Sequence, residues 1–211
     1  FVAQANLSDP EIYARAAADP EAFWAGIARE VLTWRQDFHT TPEWELPFAK
    51  WFVGGKLNVA ENCLDRHVEA GLGDRVAYHW EGEPGDTRTI TYAQLLEHVS
   101  RLANVLRGFG VQKGDRVVVY LPMIPELPMS LLACARIGAI HSVIFGGFSP
   151  DSIRDRVNDA EAKVIITADA GFRRGKPSAL KANVDAALKD CPTVEKVLVV
   201  NRCDTDVTMV E

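Results

Sequence analysis

Arg173, Arg174 and Lys176 fall within four residues and form the only dense basic cluster in the chain. Arginine offers forked donors to a phosphate and lysine a point charge, so the chemistry such a cluster could do is to bind a phosphorylated group. A charge run is also often just a solvated surface loop, and the residues alone leave both readings open. A second feature is Gly146-Gly147, inside IHSVIFGGFSPDSIRDRV (residues 140–157). Neither GxxxxGK followed by Ser or Thr nor GxGxxG surrounds it, so a phosphate cradle is weakly signalled. The pair could instead make a tight turn into a helix, with Ser149 as N-cap and Pro150 at the first helical position. A third reading is the wall of a binding channel, where missing side chains let a ligand lie against the backbone. The residues favour the turn.

Other chemistry finds little support. Cys63, Cys134, Cys191 and Cys203 form no CxxC pair and no zinc-spaced cluster, and read as four reduced thiols. His141 sits inside an apolar run and reads as a core residue. His67 can bond to nearby backbone or to Asp65. Glu126, at a helix start, suits the helix dipole without a catalytic role. Trp51 and Trp80 read as packing anchors. No Ser-His-Asp or Cys-His set is legible, so the catalytic and metal-ligand lists are both empty.

The elements that must position these residues are clearest from Thr91 onward. Thr91 and Gln94 have the spacing of a capping box, and Leu95, Val99, Leu102 and Leu106 follow on one helical face. Apolar strands (RVVVYL, AIHSVIF, KVIITA, KVLVV) then alternate with helices (PELPMSLLACARIG, PDSIRDRVNDA, SALKANVDAALKD). Continuous Val/Ile strands alternating with helices predict an α/β fold, a largely parallel sheet with helices on both faces. Ligands bind such sheets at the carboxyl ends of the strands, which nominates the segments PMIPE, GGFSP and DAGFRRGKP, the last read as a loop. Upstream, RVAYHWEG and RTITY around EPGD predict a β-hairpin. LNVAENCLDRHVEAG predicts a helix with Val59, Cys63, Leu64, His67 and Val68 on one face. Residues 1 to about 50 are rich in Trp and Phe. Asp19-Pro20 starts a helix bearing Phe23, Ile27, Val31 and Trp34, and HTTPEWELP reads as an ordered loop. The expected division is residues 1–73, an N-terminal helical and aromatic strap packing on the main body, and 74–211, a first α/β subdomain.

The totals set bounds. With 211 residues and 47% hydrophobic content, the chain can bury a sizeable core. A net charge of −6 argues against a general nucleic-acid binder. No apolar run approaches the ~20 residues of a membrane span, so no membrane partner and a cytoplasmic location are expected. The chain opens on Phe1 rather than methionine, which reads as a start inside a longer sequence.

PFAKWFVGGKLNVAENCLDRHV, YHWEGEPGDTRTITYAQL, LPMIPELPMSLLACARIGAIHSVIFGGFSPDSIRDRV and VIITADAGFRRGKPSALKANVDAAL together resemble the N-terminal part of the acetyl-coenzyme A synthetase family, within the acyl-adenylate-forming superfamily. Propionyl-coenzyme A synthetases are the main competitor. The resemblance implies part of the large N-terminal domain of an AMP-forming acetate–coenzyme A ligase. In that reaction acetate attacks the α-phosphate of Mg-ATP, and the thiol of coenzyme A then attacks the acetyl-adenylate. It places Gly147 on the channel for the pantetheine arm, and Arg173, Arg174, Gly175 and Lys176 at the phosphorylated nucleotide end of coenzyme A. The substrates implied are acetate, ATP and coenzyme A. The ATP, acetate and Mg sites are expected downstream, on the remainder of the same polypeptide, so the fragment is expected to be inactive alone. A stand-alone coenzyme A-binding or interaction fragment is the other reading.

Overall fold

The computed structural model describes residues 8–209, which divide into two compact units, one running to Asn58 and the other beginning at Val59. In the first unit, α1 (Ile12–Ala18) precedes α2 (Pro20–Val31). The Asp19 carboxylate caps α2 by accepting from the Ala22 amide at 3.0 Å. Trp34 is not on this helix as its spacing predicts, because Leu32 is already extended. Its indole Nε1 donates back to the Ala28 carbonyl at 2.9 Å, and its ring meets Phe38 and Phe52 edge-on at 5.2 and 5.7 Å. HTTPEWELP is mostly strand rather than loop. β1 (Thr40–Glu45) and β2 (Phe48–Val53) pair antiparallel, with a cis Leu46–Pro47 peptide between them. The prolines mislead because each strand of a two-stranded ribbon has an unpaired edge, where a residue without an amide proton is tolerated.

The second unit opens with two π-helical turns, Glu61–Asp65 and Val68–Leu72. The wider turn shifts the buried face, so that Ala60, Asn62 and Leu64 are inside while Val59 and Cys63 are exposed, against the 3.6-residue expectation. The predicted hairpin follows as β3 (Val76–Glu81) and β4 (Thr87–Thr91). The capping box then starts α3 (Tyr92–Gly108). Gln94 N–H donates to Thr91 Oγ1 at 3.3 Å, and Thr91 N–H to Gln94 Oε1 at 2.9 Å.

The main sheet holds β5 (Arg116–Tyr120), β6 (Ile140–Val143), β7 (Val164–Ala168) and β10 (Lys196–Val200), all parallel, in the order β10-β7-β5-β6. Side chains alternate between two cores. Val117, Val119, Val164 and Ile166 face α3 and α4 (Glu126–Ile137). Val118, Tyr120 and Ile165 face α5 (Pro150–Ala160) and α6 (Leu180–Leu188). His141, expected in the core, is exposed because β6 is an edge strand. DAGFRRGKP is a hairpin rather than a loop, made of β8 (Ala170–Arg173) and β9 (Lys176–Ala179). Its two turn residues, Arg174 (φ 54°) and Gly175 (φ 73°), are both left-handed, the geometry that matches the twist of a two-residue hairpin.

Because the capping box satisfies two amides reciprocally, Thr91→Ala should lower stability by about 1 kcal/mol in urea unfolding. Adding Gln94→Ala should then cost less than it does in the unmodified protein, a coupling that a double-mutant cycle would read.

Candidate functional site

Strands β5 and β6 are neighbours, yet the helices that follow them pack on opposite faces, α4 on one and α5 on the other. The chain segments leaving their carboxyl ends therefore diverge, and a crevice opens where a doubly wound sheet binds its ligands. It is a cleft of about 580 Å³. One wall is Leu121–Ile124 after β5, and another is Val143–Gly147 at the end of β6. Gly171, Phe172 and Arg173 of β8 and the β3–β4 turn from Trp80 to Glu83 close the sides, with Arg202 among them. All three segments nominated from sequence reach it.

Gly146 and Gly147 occupy the middle of a turn closed by Phe148 N–H donating to the Phe145 carbonyl at 3.0 Å. Neither glycine has positive φ, so backbone conformation does not demand them, contrary to the simple turn reading. A Cβ on Gly147 would meet the end of the flexible Arg173 side chain and lie 2.7 Å from Phe145 Cε1, so those side chains would have to move, whereas one on Gly146 would make ordinary contact with the Leu121 carbonyl at 3.4 Å. Arg173 lies 5.6 Å from the Phe145 ring centroid, and Phe145 meets Phe148 edge-on at 5.8 Å. The structure thus brings Gly147 and Arg173 together. Arg174, Gly175 and Lys176 form the exposed hairpin tip and do not line the cleft.

The tip has unusual electrostatics. Arg173 and Lys176 are direct cross-strand partners, so two like charges share one face of a ribbon, an arrangement that destabilises it. Among the described residues neither forms an ion pair, nor does Arg174. The nearby acid, Glu83, accepts from the Gly175 amide at 2.5 Å. Three cations without an ion-pair partner outnumber the one neighbouring carboxylate, leaving a local positive field that an anion would relieve.

Three residues have a part in the site that the sequence reading did not give them. Trp80 is a packing anchor as expected, but it also donates Nε1–H to the Met123 carbonyl at 2.8 Å, tying the hairpin β3–β4 to the loop after β5. Arg202 lies between the Trp80 and Phe172 rings, 5.1 Å from each, and forks onto Asp86 at 2.8 and 2.9 Å. The guanidinium's donation holds the Asp86 carboxyl below its usual range. Asp169, just past β7 and 2% exposed, accepts from the amides of Arg202 (2.7 Å), Thr205 (2.8 Å) and Cys203. Burial pushes its pKa up, but these amides outweigh burial and the carboxyl is depressed. An acid straight after a fully apolar strand was the available signal.

Other candidates recede. Asp65 forks onto Arg136 at 3.2 and 2.5 Å rather than serving His67, whose ring stacks near Tyr92 at 5.2 Å. Burial pushes the Cys134 thiol up to about 12, which removes it as a nucleophile. Among the described residues no group of three or more His, Cys, Asp or Glu is placed to hold a metal ion, and no helix is long and apolar enough to cross a membrane.

Comparison with known proteins gives the family and agrees with the fold. A family model described as AMP-binding enzyme matches residues 64–210, and the chain belongs to that family. A second, described as acetyl-coenzyme A synthetase N-terminus, matches residues 10–63. The chain is 61% identical to an acetyl-coenzyme A synthetase of Streptomyces avermitilis and 56% identical to one of Rubrobacter xylanophilus, in both cases over 100% of its own length. It spans about a third of those relatives, 32% and 33%. The solved acetoacetyl-CoA synthetase from Streptomyces lividans superposes with a TM-score of 0.86 at 27% identity, over 96% of this chain and 32% of that one.

Asp169 depressed in the fold contributes stability in full above the unfolded carboxyl value of about 4, and loses it as pH falls through the lower folded value. Asp169→Asn should therefore lower stability by about 2 kcal/mol at pH 7. Urea unfolding repeated at falling pH should show this difference shrinking in acid.

Proposed function

We propose that the chain is the N-terminal third of an AMP-forming acetate–coenzyme A ligase, and that the cleft is one side of the conduit for coenzyme A. The observation that carries the conduit is the meeting of Gly147 and Arg173 at the mouth of one crevice. Identity above 50% to proteins named acetyl-coenzyme A synthetase, over the whole chain, supports acetate as the acid.

In the reaction proposed, an acetate oxygen attacks the α-phosphorus of ATP and pyrophosphate leaves. The thiol sulfur of coenzyme A then attacks the acetyl carbonyl carbon, loses its proton and expels AMP. The residues here serve the second step. The backbone at Gly147, free of a Cβ, leaves width for a pantetheine arm. Leu121, Ile124, Phe145 and Phe172 exclude water along it. Arg173, Arg174 and Lys176 meet the phosphates of the nucleotide end, which cancel the repulsion between Arg173 and Lys176, while Gly175, whose amide already donates to Glu83, serves as the turn between them. Arg173 rests over the glycine by a cation–π contact worth about 1 kcal/mol at an exposed site, so an arriving arm displaces it at small cost. The first step needs preorganised charge at phosphorus, whereas of the cleft's two guanidinium groups Arg202 is committed to Asp86 and Arg173 is assigned to the nucleotide end. That step, with Mg, acetate and ATP, belongs to the remainder of the polypeptide, and the cytoplasm is the location expected.

Gly147→Leu in the full-length protein should cut thioester synthesis by at least about a hundredfold, on the scale of a lost catalytic geometry. Acetate-dependent pyrophosphate exchange should be spared. An equal fall in both rates would overturn the conduit. The 211-residue chain alone should show no acetate-dependent exchange, and turnover there would place adenylation within it.

A further inference from the structure

The residue that sets the glycine turn is neither a glycine nor a cation. Tyr120, last in β5, is 0% exposed, although burying a phenol costs free energy unless its hydroxyl is bonded. The rest of β5's interior is valine, which asks for no partner. The Tyr120 hydroxyl lies 3.2 Å from the Gly146 carbonyl and 3.0 Å from the Phe148 carbonyl. One phenolic proton forks between the two. On its acceptor side the same oxygen takes an N–H from Asn183 Nδ2 at 3.3 Å. The carbonyls it holds belong to the residues on either side of Gly147.

We propose that Tyr120, seated by Asn183, is the positioning residue that fixes the Gly146–Phe148 turn and so holds the conduit open at Gly147. The proposal rests on the coenzyme A reading of the cleft. Two successive glycines have more backbone freedom than any other pair, and a single turn bond does not remove it. Fastening the Gly146 and Phe148 carbonyls to one buried oxygen fixes the Gly146–Gly147 and Phe148–Ser149 peptide planes, and the turn bond from Phe148 N–H to the Phe145 carbonyl holds the Gly147–Phe148 plane between them. That oxygen is itself immobile, because β5 has hydrogen-bonded neighbours on both edges. Asn183 extends the link. It sits on α6, which directly follows the β8–β9 hairpin carrying Arg173, so the latch sets the distance between the glycine turn and the cationic tip. Leu180, at the start of α6, packs near both Gly146 and Gly171, which joins the same two walls through apolar contact.

Tyr120→Phe keeps the ring and removes only the hydroxyl. In the full-length protein it should raise KM for coenzyme A about tenfold, while KM for ATP and the rate of acetate-dependent pyrophosphate exchange stay within twofold. Asn183→Ala should move the same parameter in the same direction by less. The double variant should be no worse than Tyr120→Phe, because both act through one oxygen. A merely structural hydroxyl would lower both half-reactions together or only the melting temperature, and either result overturns the proposal, as does an unchanged KM for coenzyme A. If Tyr120→Phe does not accumulate as folded protein, Asn183→Ala is judged by the same criteria. Gly147→Leu separates the two claims. If it fails to uncouple the half-reactions, the conduit falls. If it uncouples them while Tyr120→Phe leaves KM unchanged, only the latch falls.

Discussion

A strand buried on both faces can present chemistry only at its ends, and β7 along its whole length and β5 from Val117 to Tyr120 are buried on both faces. Every side chain between Val117 and Val119 is committed to one of the two cores. The site therefore depends on what happens just past Tyr120, Val143 and Ala168, and on the divergence of α4 and α5 that keeps those segments apart. The apolar alternation that stabilises the sheet is the same pattern that confines function to its carboxyl edge.

The edge is held in shape by polar groups that bind nothing else. The Trp80 indole, the Arg202–Asp86 fork, the Asp169 carboxylate and the Tyr120 hydroxyl each fasten one segment of the cleft to another. All four are bonded within the protein, Asp169 and Tyr120 in its interior and the Trp80 and Arg202–Asp86 contacts nearer the surface, so the walls are tied together without leaving these groups unpaired. The cations at the hairpin tip are the opposite case. Arg173 and Lys176 repel each other across the ribbon, and no acid among the described residues pairs with them. The fold tolerates this local cost because it falls on an exposed two-stranded ribbon rather than on the four-stranded sheet.

Much of this was legible in advance, for physical reasons that differ by element. The parallel sheet, α3 with its capping box, and the start of α5 at Ser149-Pro150 were readable because periodicity and caps are local. The cationic cluster and the glycine pair were readable as chemistry, and the sheet rule placed both at one edge. Reading failed where tertiary context overrides local pattern. Proline hid β1 because edge pairing relieves it. Left-handed Arg174 hid the turn of the β8–β9 hairpin, since propensity does not anticipate an arginine there. The π-helical turns at Glu61–Asp65 displaced a face computed for 3.6 residues per turn. His141 was misplaced because nothing in AIHSVIF says that its strand lies at an edge. Tyr120, Asp169 and Arg202 went unnoticed for another reason. Their partners are 26 to 116 positions away in the chain, and no spacing rule links them.

The division between satisfied and unsatisfied groups also says what kind of ligand the cleft suits. Along its length the Trp80 indole, the Glu83 carboxylate and the Arg202 guanidinium are already bonded to protein, so much of the surface offered there is apolar ring, aliphatic wall and bare glycine backbone. At the Arg173–Lys176 end there is positive charge without an ion-pair partner. A compact polar molecule would find few hydrogen bonds in the cleft and would forfeit its own to water. On the function proposed, a long, narrow molecule with an anionic end finds width at Gly147 and charge at the hairpin. Its affinity then comes mainly from the tail and its alignment from the walls. That separation lets the reactive tip be positioned by geometry alone, which is why the rigidity of a two-glycine turn matters more to such a site than any further hydrogen bond would.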